Sequence, residues 1–392
     1  MMMGVLFIFK IRDIGMAFQG SNDIKQLKIC FIAPNAYPLI TKTKPNNVIG
    51  PDLDQVTIAE ALHHDGYEIS FITYYDNDFK GKEFHNMSLI KMHDPNSKIN
   101  IFSKVFNIWK SLKKADSDIY FHYGDFMGLT SIFAFINGKK SVYRIGSDFF
   151  VNKGIVKEKI REFSNSKFSI RSIGNWIDIK LADAVCVQTE YQYNQLKQNY
   201  GKKGIIIKNH IKLKNYIEKK PEKFIALWVG SIAEVKQPQL FLKLAKKLPK
   251  ISFWMIGGSI DQLDEKFIKC SKDLGNFKFF GAIPPSEIDE YYKKASVLIN
   301  TSIFEGFPNS FIQAWMYYSP VISLNADPDG IITQKNMGFH SKSYEQLEKD
   351  LEILVENKDL RIEMGSNGRN YVFKEHDIVL IAHKYKTLID KL

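Results

Sequence analysis

A chain of 392 residues, 45% hydrophobic and 25% charged, has the make-up of an ordinary globular protein and the length of two domains of roughly 100–200 residues each. Cys30, Cys186 and Cys270 lie far apart with no CxxC pair. This argues against a disulfide scaffold or a zinc site and fits buried thiols in a reducing cytoplasm. The net charge of +11 favours anionic partners such as nucleotide diphosphates or an anionic lipid surface; no nucleic-acid-binding module is visible, so nucleic acid is not an expected partner.

The chain opens on the apolar run MMMGVLFIF, followed by Lys10 and Arg12. A secretory signal carries its positive charge before the apolar run, and a bilayer span needs about 20 residues. Residues 1–26 are therefore expected to be a loose extension, with Met3 and Met16 as alternative starts. From there short apolar runs alternate with longer amphipathic ones, which predicts an α/β fold with parallel sheets. LKICFIAP (27–34) is the first predicted strand, and a helix is predicted from about Gln55 to His64, stopped by Gly66. YEISFITYY (67–75), DIYFHYG (118–124), KSVYRIG (140–146), DAVCVQT (183–189) and GIIIKN (204–209) are the further strands of the first half.

The polar, basic segment 213–223 reads as a linker. A second series of strands follows it: FIALWVG (224–230), ISFWMIGG (251–258), FKFFG (277–281), SVLINTS (296–302) and PVISLN (320–325). The tail is predicted helical from about Ser343. Open parallel sheets bind ligands at the carboxyl ends of their strands, so two in tandem predict one deep cleft between domains.

The stretch SVLINTSIFEGFPNSFIQAWMYYSPVISL (296–324) carries the clearest chemistry. A buried strand ends at Asn300, and a loop with Glu305, Gly306, Phe307 and Pro308 leads to a helix capped by Asn309 or Ser310. Free backbone N–H groups and the positive helix end suit an anion, while Glu305 suits sugar hydroxyls. Gln313 lies one turn into the helix. Spacing alone equally allows an ordinary strand–loop–helix corner.

This segment resembles the signature of glycosyltransferase family 4, retaining enzymes of the GT-B fold. Glu305 stands where the family has its first Glu, Gln313 where it has the second, and Lys236 where a Lys contacts the donor diphosphate. Ser231 occupies the place of the family's Arg. WVGSIAEVKQPQLFLKLAKKLPKISFWMIGG (228–258) and FFGAIPPSEIDEYYKKASVLINTS (279–302) are similar to the family's approach to that site, and the likeness runs over residues 27–375. It implies two Rossmann-like domains with parallel sheets facing across a cleft: an acceptor-side domain over 27–212, a linker over 213–223, a donor domain over 224–372, and a C-terminal helix over 373–392 that packs back on the first domain. It also implies a transferase that moves a sugar from a UDP- or GDP-linked donor to a glycan or lipid-linked saccharide, with retention, in cell-surface polysaccharide synthesis. Glu305, Lys236 and His122 are the expected catalytic residues. Gly230, Ser231, Lys236, Gly257, Glu305, Gly306, Phe307, Pro308, Asn309 and Gln313 are the expected donor contacts. A nucleotide-sugar 2-epimerase and an inactive sugar-nucleotide-binding protein are the rival readings.

Several residues allow more than one reading. His122 and Tyr123 compete for one cleft position at the end of their strand. Gly50, Arg144 and Asp148 are expected at the acceptor side or in the cleft, with a surface ion pair as the alternative for Arg144 and Asp148. Thr189 and Glu190 suit ligand contact or helix capping. Asp327 and Asp329 of DPDG suit a metal, a donor-side turn or a plain turn; no metal and no cofactor are expected. The basic, aromatic stretch 99–114 and the basic region 153–171 suit either core-facing helices or docking on the inner face of a membrane.

Overall fold

The computed structural model describes residues 26–41, 50–74, 83–84, 86–92, 99–124, 126–152, 166–216, 220–259 and 262–392. The expected extension falls almost entirely outside these, as do residues 153–165 of the second basic region. The first half contains β1 (Lys28–Ile32), α1 (Ala36–Thr41), α2 (Gly50–His64), β2 (Glu68–Thr73), β3 (Glu83–Phe84), β4 (Met87–Lys91), α3 (Ile101–Ala115) and β5 (Ile119–His122). It continues through α4 (Leu129–Ile136), β6 (Lys140–Arg144), α5 (Ser166–Leu181), β7 (Ala184–Val187), α6 (Glu190–Tyr200) and β8 (Ile205–Ile206). These strands form one sheet in the order β3-β4-β2-β1-β5-β6-β7-β8, parallel except for the edge hairpin β3–β4.

The second half contains β9 (Ile225–Val229), α7 (Pro238–Lys247), β10 (Ser252–Ile256), α8 (Glu265–Asp273), β11 (Phe277–Phe279), α9 (Asp289–Lys294), β12 (Val297–Asn300) and α10 (Asn309–Met316). It ends with β13 (Val321–Ser323), α11 (Ile331–Gln334), β14 (Gly338–His340), α12 (Tyr344–Glu356), α13 (Lys358–Glu375) and α14 (Ile378–Ile389). Its sheet runs β11-β10-β9-β12-β13-β14 with every pairing parallel. That is the doubly wound order, whose direction of winding reverses between β9 and β12.

Both sheets are buried on both faces, which is why their strands read as unbroken apolar runs. Along β1, Ile29 and Phe31 enter the core beneath α2, while Cys30 and Ile32 enter the core on the opposite side with Ile108 and Phe133. Burial pushes the thiols of Cys30 and Cys186 up to about 12, so neither is a nucleophile at neutral pH. The helices show the matching period. Phe241, Leu244 and Ala245 of α7 are buried while its lysines face solvent, and Leu347, Leu351 and Leu354 of α12 share one buried face.

The two halves are tied by two crossing segments. Ile211 pairs with Asp377, and the Ile211 amide donates to the His376 carbonyl at 2.8 Å. The chain then returns to the first half, where Ile381, Tyr385, Leu388 and Ile389 of α14 lie in the core with β1 and α2. Tyr67 donates to Asp390 at the end of that helix.

Candidate active site

The carboxyl ends of the two sheets face each other. Residues that follow β6, β7 and β8 touch residues that follow β12 and β13 of the other domain. Gly230 follows directly on β9 and donates its N–H to the Ile256 carbonyl at 3.1 Å. Gly257 has φ +129°, and a β-carbon there would fall 1.7 Å from the Gly230 carbonyl oxygen. These two strand ends therefore touch backbone to backbone, which no other residue at 257 permits. Ser231 follows, exposed, and the chain then makes a short 3-10 turn, Glu234–Lys236.

Across the reversal point, β12 ends at Asn300 and the loop 301–308 begins. Trp228 donates to the Thr301 hydroxyl at 3.0 Å, that hydroxyl donates to the Lys236 carbonyl at 2.7 Å, and the Ile303 amide donates to the Val235 carbonyl at 2.8 Å. These three bonds lock the first part of the loop to the turn that carries Lys236. As a result the Lys236 ammonium lies 2.5 and 2.7 Å from the two carboxylate oxygens of Glu305. Ser302 and Asn300 also donate to Glu305, at 2.6 and 3.3 Å. The side chains of Lys236 and Glu305 remain 25% and 13% exposed, so the pair sits at a surface that a ligand can reach.

The second part of the loop is held from the other domain. Gln188 accepts the Phe307 amide at 2.8 Å, and Asn209 donates to the Phe307 carbonyl and to the Asn309 side chain, both at 2.7 Å. A β-carbon on Gly306 would meet Gln188, Gln192 and the Gly146 carbonyl at 2.9–3.0 Å, so the loop lies flush against the first domain. Pro308 precedes α10, and a β-carbon on Gly50, which opens α2, would lie 3.8 Å from the side-chain nitrogen of Asn309. Gln313 accepts from the Tyr292 hydroxyl at 2.8 Å.

The first domain's expected residues fall into two groups. Asp148 lies at the junction, where it accepts from Gln192 at 2.9 Å. Burial pushes its carboxyl up to about 7; the Gln192 bond opposes this, and nearby Asp329 and Glu305 add to it. His122 and Arg144 lie beneath the cleft surface with no exposed area. His122 meets Ser131 at 3.2 Å and stacks on Tyr143, and burial pushes its pKa down to about 3, so the ring is neutral. Arg144 donates to Tyr123, the Ile207 carbonyl, Tyr385 and Asn209, and pairs with Asp54 at 3.4 Å. The surface-ion-pair alternative for Arg144 does not hold, because this pair is buried. The guanidinium instead ties β6, the crossing segment and α14 into one unit, and it anchors Tyr123 from behind.

Asp327 and Asp329 diverge. Asp327 accepts from the Ile332 amide and the Thr333 hydroxyl within its own turn, at 2.8 and 3.1 Å. Asp329 reaches across to the first domain and accepts the Glu190 and Tyr191 amides at 3.0 and 2.9 Å, capping α6. Thr189 caps the same helix through the Gln192 amide. Capping is thus the role the structure gives Thr189. Gln188, Gln192, Asn209 and Ser302 escaped the sequence reading. Each is a polar residue just after a buried strand or, for Gln192, in the helix that follows, and that position was the available signal.

Residues 210–371 match the family described as glycosyl transferases group 1. An uncharacterized glycosyltransferase of Haemophilus influenzae is 23% identical over 358 residues, covering 87% of this chain and 96% of its own. Among solved structures, sucrose-phosphate synthase from Thermosynechococcus elongatus superposes with a TM-score of 0.74 at 16% identity, covering 93% of this chain and 99% of its own. HepE from Anabaena, in complex with UDP and glucose, gives 0.70 at 15% identity, with 94% and 100% covered. The fold is GT-B, and the protein is a glycosyltransferase with a group 1 domain.

Proposed function

We propose that this glycosyltransferase moves a hexose from a UDP-linked donor, with a GDP-linked donor as the runner-up, to a hydroxyl of a glycan or lipid-linked saccharide. The observation that carries the reading is the Lys236–Glu305 pair at the reversal point of the second sheet. Departure of the sugar leaves negative charge on the diphosphate and positive charge on the ring, so stabilising the leaving group lowers the barrier. Lys236 supplies the cation. Glu305, once Lys236 turns to phosphate, accepts from the sugar hydroxyls. The UDP and glucose bound by the HepE structure support the choice of donor. No metal enters this account, because Lys236 and the start of α10 offset the phosphate charge.

Retention of configuration and membership of family 4 rest on the resemblance of the Glu305 segment, and cell-surface polysaccharide is the pathway that the resemblance favours. A cytoplasmic, peripheral location on an anionic membrane belongs to the same reading. It is supported by one layer of helices over the first sheet. Phe102 and Phe106 of α3 are 81% and 67% exposed, Phe135 and Ile136 of α4 are 68% and 65% exposed, and Trp176 of α5 is 53% exposed. The sequence of α3 holds Lys104, Lys110, Lys113 and Lys114 with no acidic residue. Apolar anchors beside unopposed lysines suit an anionic bilayer face. Among the described residues no helix is long and apolar enough to cross a membrane.

A thermal-shift screen against UDP-, GDP- and ADP-linked sugars tests the donor. Hits are then followed for turnover, with the anomeric configuration of the product read by NMR. A shift with UDP sugars and a retained anomer are expected. No shift and no turnover with any donor would leave only a protein of this fold without the activity.

A further inference from the structure

The loop that carries Glu305 is anchored from two domains. Its beginning, Thr301 to Ile303, is bonded to Trp228, Val235 and Lys236 of its own domain. Its end is not: both backbone polar groups of Phe307 are taken by side chains of the first domain, the N–H by Gln188 and the carbonyl by Asn209. Glu305 lies between the two anchors. Gln188 is 4% exposed and Gln192 is fully buried, and their bonds form a chain. The Gln188 amide donates to the Gln192 side chain at 2.8 Å, and Gln192 donates to Asp148 at 2.9 Å. The main chain of Gln188, from which the carboxamide reaches the loop, is therefore braced from behind.

We propose that Gln188 is a positioning residue: Lys236, Ser302 and Asn300 hold the Glu305 carboxylate from its own domain, and Gln188 clamps the Phe307 backbone two residues on, so the loop that carries Glu305 is fully placed only when the first domain lies against the second. The backbone that carries the sugar-contacting carboxylate is then set from both domains, its far end by Gln188. This inference rests on the reading of Glu305 as the donor-sugar contact. Its physical basis is that a buried amide deprived of its acceptor must find another or shift, and that a shift of about 1 Å in a reacting group costs roughly 100-fold in rate. The Lys236 main chain, bonded through its carbonyl to Thr301 of its own domain, keeps its place whether or not Gln188 does, and its ammonium leaves Glu305 for the diphosphate in either case.

The test compares Gln188→Leu, which fills the space without an acceptor, with Gln188→Glu, which keeps one. For Gln188→Leu, kcat is expected to fall about 10- to 100-fold while the Kd for UDP stays within about twofold, because the diphosphate contact is on the other anchor. Gln188→Glu is expected to recover most of kcat. A kcat within about twofold of the parent in Gln188→Leu overturns the proposal, and so does an equal loss of kcat, UDP affinity and thermal stability, which marks a merely structural role. Hydrogen exchange supplies a readout that needs no turnover. The Phe307 amide is expected to exchange faster in Gln188→Leu than in the parent, and equal rates overturn the clamp. If the parent transfers no sugar while the Phe307 amide still exchanges faster in Gln188→Leu, the donor reading is refuted and the clamp stands.

Discussion

The ammonium of Lys236 lies 2.5 and 2.7 Å from the two carboxylate oxygens of Glu305, so the two residues expected to serve the donor are held by each other. On the proposed reading, donor binding exchanges one ion pair for two new contacts: Lys236 to phosphate and Glu305 to sugar hydroxyls. The net gain is smaller than a phosphate meeting an unpaired lysine would give.

Glu305→Gln separates the two roles. The amide keeps acceptance from Ser302 but releases the Lys236 cation. Turnover is expected to fall by about 100-fold or more, as when one transition-state contact is removed. UDP affinity, read by calorimetry, is expected to hold or rise severalfold. Near-normal turnover would exclude Glu305 from the sugar site.

Lys236→Ala removes the cation. Because the native lysine must first leave Glu305, the loss is expected near the lower end for a charge-assisted bond, about 1.5 kcal/mol, or roughly tenfold in UDP affinity. Unchanged affinity by calorimetry would place the diphosphate elsewhere.

Turnover is expected to survive exhaustive EDTA within about twofold, since the carboxylates of Asp327 and Asp329 are turned to amide and hydroxyl donors on two different domains. Abolition by EDTA with rescue by Mn2+ would revive the DPDG turn as a metal site.

Asp148 makes stability pH-dependent. Its carboxyl is pushed up to about 7 in the folded protein, so between the ordinary aspartate value and 7 the folded state holds a proton that the unfolded chain has released. Stability from this group is full at low pH and is lost as pH rises toward 7. Asp148→Asn is expected to raise Tm by about 2–5 °C at pH 8 and to leave it unchanged near pH 4. A gain of equal size at both pH values would contradict the assignment.

Membrane docking predicts salt-sensitive pelleting with vesicles containing phosphatidylglycerol and little with pure phosphatidylcholine. Each basic residue near the surface contributes about 1 kcal/mol, and the attraction fades as the Debye length shrinks to about 3 Å at 1 M salt. Phe102→Glu with Phe106→Glu is expected to abolish pelleting. Equal pelleting with both lipids, or with neither, would refute the anionic surface as partner.

Much of the architecture was legible in the sequence because parallel strands buried on both faces must be apolar throughout. Runs such as FIALWVG and SVLINTS therefore announce themselves. The pairing of Lys236 with Glu305 joins a residue that only the family resemblance singled out to one whose place before a helix start was visible in the sequence. The short edge strands β3 and β14 were not legible: their residues, EF and GFH, lack the apolar runs that marked the equally short β8 and β11. The sequence also could not tell that Arg144 would be buried against Tyr385, 241 positions away. Nor could it tell that Gln188 would meet Phe307, 119 positions away, or that Asp329 would cap a helix of the other domain. Local sequence determines which segments are strands and which polar residues stand at their ends, because backbone period and burial act over a few residues. Which of those polar ends meet across the cleft is decided only when the two sheets are docked, because those hydrogen bonds have no local pattern to reveal them.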